Sequence, residues 1–179
     1  EADQIVLVNQ ADAGLIETLK LDKRFKYIHY VHGDYIDEQI LKRANVPNAS
    51  RVLLLSDESD PSQSIQEKDS RTVMAAMTVE NLNRNIYSCA ELLDSKFEKY
   101  LKLSHCDEII MTRDYARTLI ANASSASGIS HVIGDLLSVE SEINIITKEF
   151  PPNFFGKTVK ELNEYFKNLD SSILLGLLE

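Results

Sequence analysis

A chain of 179 residues with 44% hydrophobic and 26% charged side chains can bury a core and build one full domain plus a smaller piece. Its net charge of -9 has the wrong sign for a phosphate-binding surface, which needs clustered Lys and Arg, so nucleic acid is excluded as a partner class while a cation stays open. No apolar run approaches the roughly 20 residues that cross a bilayer, and two cysteines without CxxC spacing or a secretory signal, Cys89 and Cys106, point to a reduced cytoplasmic compartment.

Taken in order, residues 5–8 read as a short apolar strand, followed by Leu15, Ile16 and Leu19 at helical spacing. A dinucleotide fold would place G-x-G-x-x-G in its first strand-to-helix turn, where backbone amides cradle a pyrophosphate. Here Gly14 stands alone. Where an acidic ribose contact commonly ends a strand, this chain has Asn9 and Gln10, with Asp12 displaced by a few positions.

Tyr27, Ile28, Tyr30 and Val31 form the next apolar run, and Val52 to Leu55 a continuous Val/Leu block of the kind a parallel strand covered on both faces shows. Between them Ile36, Ile40, Leu41 and Ala44 fall on one face of a helix and Asp37, Glu38, Lys42 and Arg43 on the other. This is a strand, helix, strand unit. Its first junction, His32-Gly33-Asp34, lies where ligands bind in open parallel sheets, outside the carboxyl ends of the strands. Gly33 permits a tight turn or a close approach, and Asp34 either caps the helix or accepts from a ligand.

The polar loop 56–63 carries Asp57, Glu58 and Asp60 beside Ser56, a set of oxygens suited to a hard cation or to a solvated helix-capping loop; its spacing is not that of an EF-hand. Residues 68–82 read as a helix with Val73, Met74 and Met77 at the centre of its buried stripe. A strand over 85–89 leads to Glu91, placed either at the rim shared with Asp34 and Ser56 or near the start of the following helix. Cys89 has no histidine near it in sequence and reads as buried and inert. Phe97, Tyr100, Leu101 and Leu103 build another helix, and residues 108–111 a last short strand.

Two apolar helical patterns follow, one over 112–123 with Tyr115, Leu119 and Ile120, one with Val132, Ile133, Leu136 and Leu137. Together they have more apolar surface than this chain covers, which suggests a partner; the alternative is that both pack back on the sheet. Residues 143–150 read as a strand broken by Pro151-Pro152, Gly156-Lys157-Thr158-Val159 opens a helix with Leu162 and Phe166, and 172–178 reads as a final strand. Pro151 stands where a P-loop needs its first Gly.

Three stretches carry a family resemblance: Gly33-Asp34 with its helix through Leu41, Ala44 and Val46 and then Ala49 and an apolar strand; Leu101 to Ile110 with Cys106-Asp107 before a strand; and Gly156-Lys157-Thr158-Val159 with Glu161-Leu162. Together they resemble the RCK domain, also called KTN or TrkA-N, which regulates potassium channels and transporters, followed by the start of a TrkA-C lobe. The resemblance implies an α/β, Rossmann-like parallel sheet with helices on both faces, its first strand and glycine-rich turn missing, then a partial α+β C-terminal lobe. It divides the chain into an N-lobe over 1–112, a helical hinge and dimerisation segment over 113–141 and the beginning of the C-lobe over 142–179.

The function it implies is ligand sensing at the cytoplasmic face of the cell membrane, gating a potassium channel through rearrangement of a homodimer or larger ring attached to a channel or transporter membrane domain. The alternatives are a detached nucleotide-binding subunit of a potassium uptake or antiport system, or an NAD-linked oxidoreductase domain. Asn9, Gly33, Asp34, Ser56, Asp57 and Glu91 are the candidate ligand contacts, for NAD, ADP, ATP or calcium. Asp57, Glu58, Asp60 and Glu91 are the candidate metal ligands. Calcium-binding relatives carry two carboxylates two positions apart after the fourth strand of this chain; here those positions are Glu91 and Leu93. No H-E-x-x-H, G-x-S-x-G or paired-acid arrangement is present, so a regulatory rather than a catalytic role is expected.

Overall fold

A computed structural model describes residues 4–138, 145–170 and 172–177. The chain forms two compact units, Glu1–Ser127 and Gly128–Glu179.

In the first unit, strands and helices alternate: β1 (Val6–Asn9), α1 (Ala13–Leu21), β2 (His29–His32), α2 (Glu38–Arg43), β3 (Arg51–Leu54), α3 (Ile65–Leu82), β4 (Tyr87–Leu92), α4 (Glu98–Leu103), β5 (Glu108–Met111) and α5 (Thr112–Ser125). All pairings are parallel, but the strands form two sheets, β1-β2 and β3-β4-β5. The expected Rossmann-like order is there, with the sheet divided between β1 and β3.

Local chemistry sets the helix starts. Asp12, the displaced acidic residue of the first strand-helix junction, caps α1 by accepting from Gly14 N at 2.8 Å. Asp37 caps α2 through Gln39 N. Ser64 and Glu67 form a reciprocal capping box at α3.

One core joins both sheets. Leu41 and Ala44 of α2, Val73, Ala75, Ala76 and Val79 of α3 and Leu101 of α4 pack on Leu54, Ala90 and Leu92, with Val8 and Val31 of the smaller sheet against the same cluster. Met74 and Met77, expected at the centre of the α3 stripe, are instead 51% and 52% exposed. The buried stripe runs through Asp69, Thr72, Val73, Ala76 and Val79, because small side chains let α3 lie close on β4.

In the second unit, α6 (Ile129–Leu137) begins after Gly128, whose φ of 87° suits glycine. α7 (Val159–Asp170) buries Leu162, and Tyr165 packs on Phe154 with ring centroids 4.9 Å apart. The strands expected over 143–150 and 172–178 are not found: 145–150 and 172–177 are irregular, and residues 143, 144 and 178 lie outside the described residues. A strand needs a paired neighbour; the tail is held instead by Leu174 N donating to Asn163 Oδ1 of α7 at 3.1 Å.

Candidate functional site

The loops leaving β1, β2, β3 and β4 share one rim. Within each sheet the strands are parallel, and Arg71, in the second turn of α3 just after β3, reaches Asp34 just after β2, so the carboxyl ends of both sheets lie on the same side. That is the rim expected from the sequence.

On the β1-β2 side, Gly33 N donates to Asn9 O at 3.0 Å, and Asn9 Oδ1 accepts from Ala11 N at 3.0 Å, which folds the chain over after β1. A Cβ on Gly33 would lie 2.6 to 2.8 Å from three carbons of Ile40. The glycine lets α2 lie close against the end of β2. Asp34 accepts from Ile36 N at 3.1 Å and from Arg71 Nη2 at 2.7 Å. The Arg71 guanidinium also lies 5.0 Å from the centre of the Tyr35 ring and donates to its hydroxyl at 3.4 Å, while burial pushes that phenol up.

On the β3-β5 side, β4 runs on to Leu92, beyond the expected 85–89, so Glu91 sits within a strand rather than at a helix start. Its Oε2 accepts from Ser56 N at 3.0 Å and its Oε1 from Thr112 Oγ1 at 2.9 Å. One carboxylate thus ties the exit of β3 to the first residue of α5. Beside it, the Ser56 hydroxyl is buried and has no protein partner, as is the Gln63 side-chain oxygen at the end of the same loop.

The acidic loop is folded on itself. Asp57 accepts from Ser59 N and Oγ, and Asp60 from Ser62 N and Oγ. The Ser59 hydroxyl, ahead of the backbone amide, holds the Asp57 carboxyl below the usual range, and Ser62 does the same for Asp60. Asp57, Glu58, Asp60 and Glu91 are not gathered into one set: among the described residues no three His, Cys, Asp or Glu side chains are placed to hold a metal ion.

Three residues of this rim escaped the sequence reading: Arg71, Thr112 and Asp69. Asp69 is fully buried, accepts from Leu93 N at 3.0 Å and Asp94 N at 2.8 Å, and its carboxyl is raised by burial. A charged residue in register with Thr72, Val73 and Ala76 on an apolar helix face was the available signal. Cys89 and Cys106 are both half-buried free thiols raised by burial, which fits an inert reading.

A sequence model of the calcium-activated potassium channel slowpoke-like RCK domain matches residues 1–90, half of the chain. The chain belongs to the RCK family. It is 26% identical over 147 residues to the calcium-gated potassium channel TvoK of Thermoplasma volcanium, covering 82% of this chain and 42% of that one. The chain spans less than half the length of the curated relatives it matches. Among solved structures, the human SLO3 gating ring superposes with a TM-score of 0.59 at 17% identity, over 82% of this chain and 26% of that one. The TrkA-N domain of the Escherichia coli inner membrane protein ybaL gives 0.51 at 16%, over 65% and 76%. At those identities the superpositions show a common fold. This RCK domain therefore has the regulatory role of its family, linked to potassium channels and transporters. Among its described residues no helix is long and apolar enough to cross a membrane.

Proposed function

We propose that this RCK domain is a ligand sensor, not an enzyme, that gates a potassium channel from the cytoplasmic face by rearranging a homo-oligomeric ring. The observation that carries the reading is the Glu91 carboxylate, bonded on one side to Ser56 N in the rim loop and on the other to Thr112 at the head of α5. A ligand that competes for the Glu91 carboxylate or for the Ser56 amide loosens or redirects one of those bonds, and the start of α5 feels the change. Two arrangements with different affinities for the ligand are all that gating requires. Asn9, Gly33, Asp34, Ser56, Asp57 and Glu91 are the proposed contacts, for a nucleotide or for calcium.

The helices beyond the rim support assembly. α5 and α6 bury no residue in this chain, and they expose Tyr115 and Ile120, and Val132 and Leu137, respectively. Apolar helix faces of this kind are covered by a partner, which we take to be further copies of the domain and the channel's membrane portion.

The test is potassium flux through liposomes carrying the full channel polypeptide, titrated with NAD, NADH, ADP, ATP and calcium, alongside thermal shifts of the same protein. A ligand that changes flux should raise stability by linkage, about 2.7 kcal/mol at a hundredfold excess over Kd. Asp34→Ala should remove binding, and Glu91→Ala should weaken the flux response more than the binding. Flux that ignores every ligand, or responses unchanged in both variants, would remove this rim as the sensor.

A further inference from the structure

The ion pair of Asp34 with Arg71 leaves one acceptor and one donor side by side. Asp34 spends Oδ1 on Ile36 N and on Arg71 Nη2, and among the described residues its Oδ2 has no donor. Arg71 spends Nη2 on that bond and Nε on the Tyr35 hydroxyl, and its Nη1 has no acceptor among the described residues. A guanidinium carries five N–H donors and no acceptor, so the unused ones can serve only an acceptor, best an anionic one. Room for such a group lies beside it. Arg71 lines a surface cavity of about 410 Å3 whose other walls are Gln63, Gln66 and Ser70, all neutral, and Glu67, whose carboxylate is taken up by the Ser64 cap of α3.

Charge decides which ligand fits here. A divalent cation such as calcium needs several oxygen ligands, and its affinity rises with the negative charge they carry. Asp34 already has the Arg71 guanidinium at 2.7 Å, with both side chains half-buried, where salt and solvent screen the pair less than at the surface. Asp57 is held low by the Ser59 hydroxyl and amide, with Arg71 and Lys68 adding to the effect. Two carboxylates therefore face two cations. A calcium ion at this pair meets no net negative charge.

We infer that Arg71 sets the ligand class of this rim: it keeps Asp34 and Asp57 from serving a divalent cation and offers its free N–H groups to a phosphate, while Asp34 Oδ2 accepts from a hydroxyl of the same ligand. A phosphorylated compound with hydroxyl groups is thus selected over calcium at these residues. The inference rests on the proposed reading of Asp34 and Asp57 as ligand contacts.

The experiment is calorimetric titration of the full channel polypeptide with ADP and adenosine, both without divalent cations, and separately with calcium. ADP and adenosine share the ribose hydroxyls and differ in the diphosphate, so the ratio of their affinities reads the anionic contact. Arg71→Gln keeps a donor for Asp34 and removes the charge; it should weaken ADP at least about tenfold and adenosine less than about threefold. Arg71→Lys keeps the charge and should hold the loss of ADP affinity below about threefold. Asp34→Asn should leave the number of calcium ions bound by the protein unchanged. ADP that fails to bind the wild type, or binds Arg71→Gln as tightly, overturns the inference, and so does a calcium ion lost with Asp34→Asn. Equal losses for ADP and adenosine would reduce Arg71 to a support of the pocket wall and overturn it as well. Potassium flux that ignores ADP while these affinities hold would sink the gating reading and leave the role of Arg71 standing.

Discussion

Glu91 and Thr112, twenty-one residues apart, meet at 2.9 Å where β4 ends and α5 begins, and the same carboxylate holds Ser56 N. α5 has no side-chain cap of its own, and this bond ties its first residue beside the Leu92–Met111 pairing of β4 with β5. Glu91→Ala leaves a half-buried amide without its acceptor and should cost about 1–3 kcal/mol in urea unfolding. Glu91→Gln should cost less, because its carbonyl can serve Ser56 N while its amide donates to a reoriented Thr112 hydroxyl. Thr112→Val should cost about 1 kcal/mol. Equal losses for the Ala and Gln variants would mean that charge, not hydrogen bonding, holds the junction.

Gly33 is set by packing. Alanine there would press its methyl into Ile40 at 2.6 to 2.8 Å. Gly33→Ala should destabilise the domain by about 1–3 kcal/mol through overpacking. Ile40→Ala removes the obstruction at its own cavity cost, so the double variant should be more stable than the sum of the singles by at least about 1 kcal/mol. Additive losses in denaturant unfolding would show that the pair does not share the strain.

How much of this was readable beforehand depends on range in sequence. The alternation of strands and helices and the shared rim follow from local apolar runs such as Val52 to Leu55 and from the parallel order they imply. The pair Asp34 and Arg71 is 37 positions apart, and no periodicity announces it. Nor did spacing orient α3: Met74 and Met77 fit a helical stripe as well as Thr72, Val73 and Ala76 do, and only the fit against β4 chose the smaller set. The C-terminal strands failed because apolar composition shows that a segment can pair and says nothing of whether a neighbour exists.

Asp34 and Arg71 link the two sheets through a half-buried pair, with side chains 30% and 26% exposed. A double-mutant cycle with alanine at both positions should give a coupling of about 0.5–1 kcal/mol. The coupling should shrink in high salt without vanishing, since partial burial limits screening. Arg71→Lys should keep part of the charge attraction and lose the stacking on Tyr35. No measurable coupling would leave the sheets joined by the apolar core alone.

Asp69 gives the fold an acid-range signature of its own. Burial raises its carboxyl above 3.8, against the opposing pull of the Leu93 and Asp94 amides. In the unfolded chain it ionises first as pH rises, so its contribution to stability is fully present below 3.8 and is lost between that value and the raised folded one. Asp57 runs the other way: its carboxyl is lowered, so its contribution is present above 3.8 and lost as pH falls through the folded value. The two are separated by substitution. The stability of the wild type minus that of Asp69→Asn should fall as pH rises above 3.8, and that of the wild type minus Asp57→Asn should fall as pH drops below 3.8. Urea unfolding at several pH values reads both differences. A wild-type advantage over Asp69→Asn that grows with pH would mean that the two backbone amides outweigh burial, and that Asp69 is held ionised as an acceptor for the turn after β4.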